Sequence, residues 1–201
     1  MPEKVIIIGA GGHAKVIADI VIKNGDRLIG FLDDKKINDT VLGYSVLGKI
    51  DLSEEYKQTT AFIIGIGDNR TRRKLAESLD LNWYTAIHPS AQVGIDVKIG
   101  KGTTIMANAV INTGVRIGNG VIINTAVIVE HDSIIEDFAH ISPGAVLCGG
   151  VSIGTCTHIG GGAVVRNNVR ICEYAVVGCG GVVVRDISEA GTYVGVPTRK
   201  S

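Results

Sequence analysis

From Ile87 to Ser188 the chain repeats a six-residue unit without once slipping phase. Stepping by six from Ile87 through Val93, Ile99 and Ile105 to Val177 and Val183 meets a branched aliphatic at all seventeen positions. Four places further on, fifteen of the seventeen blocks carry Ala, Val, Thr or Ser, with Gly181 and Ile187 the exceptions. The place directly after the aliphatic is Gly in six blocks, and Asn112 and Asn124 fill it in two more. A helix needs a 3.6-residue period and an amphipathic strand a period of two. Six fits neither. It fits a short strand followed by a corner, with Gly or Asn expected after the aliphatic because they tolerate positive φ. Repeats of this length signal a parallel β-helix. Three blocks make one triangular coil, so residues eighteen apart stack on neighbouring coils, and the repeat supplies between five and six coils rising ~4.8 Å each.

The stretch before the repeat reads differently. Residues 4–9 form an apolar run suited to a buried parallel strand, followed by Gly9-Ala10-Gly11-Gly12-His13-Ala14. A helical pattern over 14–23 then places Val16, Ile17, Ile20 and Val21 on one face. A second strand over 27–32 ends at Asp33-Asp34, and 41–49 reads as a short strand pair or a loop. A third parallel strand over 61–66 ends at Gly67-Asp68-Asn69-Arg70, a basic helix with Leu75, Ala76 and Leu79 follows, and 81–87 is a last strand leading into His88-Pro89. The expected architecture is an α/β, Rossmann-like βαβαβ domain over 1–86 and an all-β parallel β-helix over 87–188. A tail over 189–201 is expected to cover the open end of the last coil, which exposes an unpaired edge.

Twenty basic and twenty acidic side chains balance, so nothing points to a nucleic acid or another polyanion as partner. Cysteines at 148, 156, 172 and 179 show no metal or disulfide spacing, which favours reduced thiols and a cytoplasmic location. The first apolar run is too short for a signal peptide, and no segment reaches the length of a membrane span.

Gly9-x-Gly11-x-x-Ala14 after a strand, with acids closing the next strand, satisfies a relaxed dinucleotide fingerprint. A dinucleotide lies across two βαβαβ halves and only one is present, so the domain suits a single nucleotide with its phosphates near Gly11, Gly12 and His13 at the helix N-terminus. Asp33 and Asp34 either cap a turn or accept hydrogen bonds from a ligand at the strand's carboxyl end. Gly67 and Arg70 face the same crevice, where Arg70 either pairs with a phosphate or is a solvated arginine at the helix start.

Three of the five histidines lie in the coils. His140 and His158 are eighteen apart and should stack, and by the same arithmetic His131 lies over Gly149. A neutral imidazole can take a proton from an attacking amine or hydroxyl, and an open backbone N–H beside it can stabilise a developing oxyanion. Asp132 adjoins His131 at a corner and is placed to orient it. No thiol has a histidine placed as a nucleophile's partner, so direct transfer without an acyl-enzyme is expected. Some hexapeptide proteins resemble metal-binding carbonic anhydrases with two histidines five apart; spacings of nine and eighteen here argue against a metal site.

The ordered set of Gly-Ala-Gly-Gly-His-Ala, Phe31-Leu32-Asp33-Asp34, Ile66-Gly67-Asp68-Asn69, Val129-Glu130-His131-Asp132 and Val194-Gly195-Val196-Pro197 resembles the bacterial acetyltransferases of nucleotide-linked amino sugars and sialic acids over essentially the whole chain. The resemblance implies a left-handed β-helix and a homotrimer with active sites between subunits, with acetyl-CoA as co-substrate and no metal. It implies that Gly11, Gly12, His13, Asp33, Asp34, Gly67 and Arg70 contact the nucleotide sugar, with Asn124 bordering the sugar. His131 is the implied base, and His140, Gly149, Gly161 and Cys179 line the acetyl-CoA path. Members acting on 4-amino sugars tend to carry Glu after the base, so the shorter Asp132 raises the question of reach. The reading is N-acetylation of a UDP-linked amino-deoxy sugar. O-acetylation of a sialic acid, a non-catalytic nucleotide-sugar sensor and an NAD enzyme are the rivals, separable by acceptor type, by turnover and by which nucleotide stabilises the protein.

Overall fold

A computed structural model describes residues 2–201. The N-terminal part is one sheet of five strands, β1 (Lys4–Ile8), β2 (Arg27–Leu32), β3 (Thr40–Val41), β4 (Tyr44–Gly48) and β5 (Ala61–Ile64), in the order β3-β4-β2-β1-β5. All neighbours are parallel except the β3–β4 hairpin. Its two tip residues, Leu42 and Gly43, both have positive φ, as a tight type I′ hairpin requires. β1 is buried from Val5 to Ile8, the continuous apolar pattern of a parallel strand covered on both faces.

Helix α1 (Gly12–Lys23) buries Ala14, Ile17, Ala18, Ile20 and Val21 against the sheet. Val16, expected on that face, is exposed. The small Ala14 and Ala18 set the centre of contact instead: Gly65 approaches so closely that a Cβ there would lie 2.7 Å from the Ala14 Cβ. A short helix α2 (Ser53–Tyr56) joins β4 to β5. Helix α3 (Asn69–Ser78) starts at Asp68, whose side chain accepts a 2.8 Å bond from Thr71 N–H, the usual N-cap arrangement. Residues 81–87 do not form the expected last strand of this sheet. They make one bridge, Phe62 to Trp83, and Ala86–Ile87 already pairs with Thr104–Ile105 of the coils. The coil takes the strand because only there do these backbone groups find a continuing ladder.

From Ala86 to Val183 seventeen two-residue strands wind through three parallel sheets, each strand pairing with those eighteen residues away. The repeating aliphatics point inward: Ile105, Ile123, Ile141, Ile159 and Val177 form one buried column. Burying each such side chain contributes about 1.5–3 kcal/mol. Where the small inward position is polar its hydroxyl is satisfied, as Thr157 Oγ1 donates to Cys172 O at 2.6 Å and Thr103 Oγ1 to Gly118 O at 2.8 Å.

Positive φ does not fall where the repeat suggested. It recurs at every sixth residue from Asp96 to Gly180, three places after the aliphatic, and is borne by Asn, Asp, Ala, Cys, Phe and Tyr as well as Gly. The glycines directly after the aliphatics are required for close approach instead. A Cβ at Gly100 would lie 2.4 Å from the Gly118 carbonyl carbon on the next coil.

After the last block, Ile187 bridges Ile171. Thr192–Val194 then pairs parallel with Val176–Val177 and antiparallel with Arg199–Lys200, and Tyr193 packs on the coil core. The N-terminal domain sits on the coils through Met106 and Ile122, which share its apolar core.

Candidate active site

The carboxyl ends of β1, β2 and β5 open onto a crevice. Gly11 and Gly12 are exposed at the start of α1, and a Cβ at either would meet nothing within 4 Å; the same holds for Gly67. Asp33 is spent on the backbone: its carboxylate accepts from Ala10 N–H at 2.8 Å, Lys35 N–H at 2.9 Å and Lys36 N–H at 3.1 Å. Asp34 likewise accepts from Ile50 N–H at 3.0 Å. Asp33 therefore shapes the Gly9–Gly12 turn and the β2 end, and Asp34 ties that end to the segment after β4. Arg70 is exposed, its guanidinium carbon 5.5 Å from the Tyr174 ring centroid, within cation–π range.

Across the crevice stands the coil sheet that carries His140 and His158. Their rings stack with centroids 4.7 Å apart. Asn124 Nδ2 lies 3.1 Å from His140 Nε2, and Ser142 Oγ 2.8 Å from His158 Nε2. Because the Asn124 amide nitrogen can only donate, His140 Nε2 accepts and Nδ1 carries the proton. A cleft of 530 Å³ lies between this sheet and the β5–α3 loop, lined by Gly67, Asn69, Arg70, His140, His158 and Tyr174. Burial pushes His140 down to about 3, with stacked His158 and nearby Arg72 adding to it. Burial and then Arg72 bring His13 down to about 4. His158 is lowered for the same two reasons. These three imidazoles are neutral at physiological pH. His13 Nε2 and His140 Nδ1 are buried without a hydrogen-bond partner among the described residues.

His131 lies elsewhere, at a corner between the other two coil sheets. Its Nδ1 is 2.9 Å from Asp132 Oδ2. The shorter carboxylate does reach, because Asp132 has φ 59° and the left-handed turn brings adjacent side chains to one side. With Nδ1–H donating to the carboxylate, Nε2 keeps its lone pair. It lies over Gly149, where a Cβ would be 2.7 Å from it. Gly149 is buried and its N–H has no partner among the described residues. The Asp132 hydrogen bond raises the His131 pKa, as do the Asp132 and Glu130 charges to a lesser degree. Gly161 and Cys179 sit at a third place, the corner after the His140 sheet, where Gly180 N–H donates to Gly161 O at 2.8 Å. One chain thus brings together His131, Asp132 and Gly149, and separately His13, Gly67, Arg70, Asn124 and His140. His140, expected with Gly161 and Cys179, faces the crevice.

Sequence reading missed the residues that fix the crevice. Arg72 is 1% exposed, and its guanidinium donates to Gly120 O at 2.7 Å, Ile66 O at 3.2 Å, Gly67 O at 3.0 Å, Phe138 O at 2.8 Å and Asn69 Oδ1 at 2.9 Å. Asn69 Nδ2 in turn donates to Cys156 O and Thr157 O. Tyr174, whose hydroxyl meets Arg73 Nη1 at 2.5 Å, was also missed. The one local signal was a basic run just after a strand end.

A Gly-rich βα turn facing a histidine-bearing β-helix defines a hexapeptide acyltransferase with a ligand-binding domain in front of its coils. Residues 4–79 match the PglD N-terminal domain and residues 90–131 the bacterial transferase hexapeptide (six repeats). The acetyltransferase domain of PglB from Neisseria gonorrhoeae is 37% identical, with a TM-score of 0.95 over 99% of this chain and 100% of that one; it has also been solved with acetyl coenzyme A. PerB from Caulobacter crescentus, solved with CoA and GDP-perosamine, is 37% identical, with a TM-score of 0.94 over 98% of this chain and 97% of that one. UDP-N-acetylbacillosamine N-acetyltransferase of Bacillus subtilis is 39% identical over 52% of each chain. The chain spans about half or less of the length of the curated relatives it matches. The chain belongs to the PglD-like sugar N-acetyltransferases of the hexapeptide-repeat class. No helix among the described residues is long and apolar enough to cross a membrane.

Proposed function

We propose that this chain transfers the acetyl group of acetyl-CoA to the free amine of a UDP-linked amino-deoxy sugar in the cytoplasm, with His131 as general base. The observation that carries the reading is the His131 corner: an imidazole held at Nδ1 by Asp132, with its Nε2 lone pair open beside an unpaired Gly149 N–H. The amine nitrogen attacks the thioester carbonyl carbon, so a C–N bond forms and the C–S bond breaks. His131 Nε2 takes the proton from nitrogen and returns it to the departing CoA sulfur. The Gly149 N–H stabilises the oxyanion that forms between these events.

The sugar nucleotide binds in the crevice of Gly11, Gly12, His13, Gly67 and Arg70, with Asn124 bordering the sugar and Gly161 and Cys179 along the acetyl-CoA path. His13 and His140 stay neutral beside it, so neither repels the basic amine. That crevice and the His131 corner lie on different edges of one chain. A homotrimer, with the acceptor held by one chain and deprotonated by its neighbour's His131, joins them. Replacing His131 by Ala should lower kcat by roughly 10²–10⁴-fold and leave the KM for acetyl-CoA nearly unchanged, read by CoA release with UDP- and GDP-linked amino sugars. Near-normal turnover in that variant removes His131 from the role, and transfer to hydroxyl acceptors alone replaces the N-acetyl reading.

A further inference from the structure

Arg72 is unusual in two respects. It is among the largest fully buried side chains, yet no carboxylate lies within ion-pair distance among the described residues. A buried charge without a counter-charge is costly unless its donors are fully met. Here they are. A guanidinium has five N–H groups, and the five acceptors named above each take one at 3.2 Å or less. Those acceptors come from two regions. Ile66 and Gly67 belong to the β5–α3 loop that walls the crevice and Asn69 opens α3 directly after it, whereas Gly120 and Phe138 belong to two successive coil corners. The planar fork therefore spans the joint, and Asn69 at the start of α3 adds two bonds to Cys156 O at 3.0 Å and Thr157 O at 3.2 Å, one coil further on. Met106 and Ile122 add apolar contact to the joint, and Arg73 adds a single bond to the Tyr174 hydroxyl, whereas Arg72 alone places donors on carbonyls of both sides.

We infer that Arg72 is a positioning residue for acetyl transfer: its fork fixes the Gly67–Asn69 wall against the coils, so that the bound acceptor presents its amine at a set distance from the coil surface. This rests on the proposed acceptor site in the crevice. Lysine cannot substitute, because an ammonium offers three donors from one point and cannot reach carbonyls on both sides of the joint. The positive charge also helps to keep His13, His140 and His158 neutral, which a fork-less cation would preserve.

The test is steady-state kinetics of Arg72→Lys and Asn69→Ala in the full chain, varying nucleotide amino sugar and acetyl-CoA separately. Arg72→Lys should raise the acceptor KM and lower kcat, with a combined loss in kcat/KM for the acceptor of roughly tenfold or more and little change in the KM for acetyl-CoA. Asn69→Ala, which keeps the guanidinium but removes one of its five acceptors and both amide bonds to Cys156 O and Thr157 O, should show the same split and serves if the lysine variant does not fold. An unchanged acceptor KM in whichever variant folds, or equal rises for both substrates, overturns the inference while leaving the reaction intact. Failure of the unaltered chain to release CoA with any nucleotide amino sugar overturns the reading of the reaction, and this inference with it.

Discussion

Asp33 in the N-terminal sheet and His131 in the coils are both fixed by hydrogen bonds, but by opposite strategies. Asp33 is held by three backbone N–H groups of two loops found nowhere else in the chain. His131 is held by a corner that recurs every six residues, with Asp132 in the one left-handed conformation every corner shares and Gly149 supplied by the next coil. In the first region each position has its own local solution, so a change there stays local. In the second the register is common property, and a change propagates.

The sharpest way to break this contrast is an insertion. One alanine placed after Gly144 displaces every inward aliphatic from Leu147 to Val183, and the chain should lose its cooperative melting transition in circular dichroism. One alanine between Leu42 and Gly43, at the tip of the hairpin, should cost about 1 kcal/mol; equal effects from the two would show that the regions do not differ. Next in size is Gly149→Ala. Its methyl would collide with His131 Nε2, so kcat should fall roughly 10- to 100-fold at nearly unchanged melting temperature. Gly67→Ala, with open space around its Cβ, should leave the KM for acetyl-CoA unmoved.

A smaller effect separates the regions by pH. His13 and His140 have folded pKa values of about 4 and about 3, below the ~6.5 of an unfolded chain. The unfolded state therefore binds more protons in that window, and stability is lost as pH falls below ~6.5. His13 alone accounts for roughly 3 kcal/mol at most by pH 4. Melting temperature followed from pH 7 to pH 4.5 should decline, less steeply in His13→Gln; parallel slopes would count against it. The smallest is Asp132→Asn. Because the Asp132 bond raises the His131 pKa and the base must be neutral, activity rises with pH through that pKa. Removing the carboxylate should move the acid limb of kcat/KM to lower pH.

The same contrast explains what could be read in advance. Coil neighbours follow from counting, so His131 beside Gly149 and His140 on His158 were legible from spacing alone. The place of the left-handed residues was not, because glycine serves two needs and the sequence does not say which. Gly100 avoids a collision, whereas Gly102 bears positive φ. Arg72, Asn69 and Tyr174 carried no period, since the partners that tie them across the joint lie 48 to 101 residues away and on another domain. The two readings of Asp33 were separable only once Ala10, Lys35 and Lys36 were seen to occupy its oxygens.

Within the prism, coil strands pair with partners eighteen residues distant, so it can lengthen or shorten only by whole rungs. Adding one between Ile123 and Ile141 would carry the His140–His158 pair one ladder step of ~4.8 Å away from Arg72's loop, without rotating it. Acceptor size in such a scaffold is therefore gauged in discrete notches, and a descendant that accommodates a bulkier sugar must change gear rather than drift.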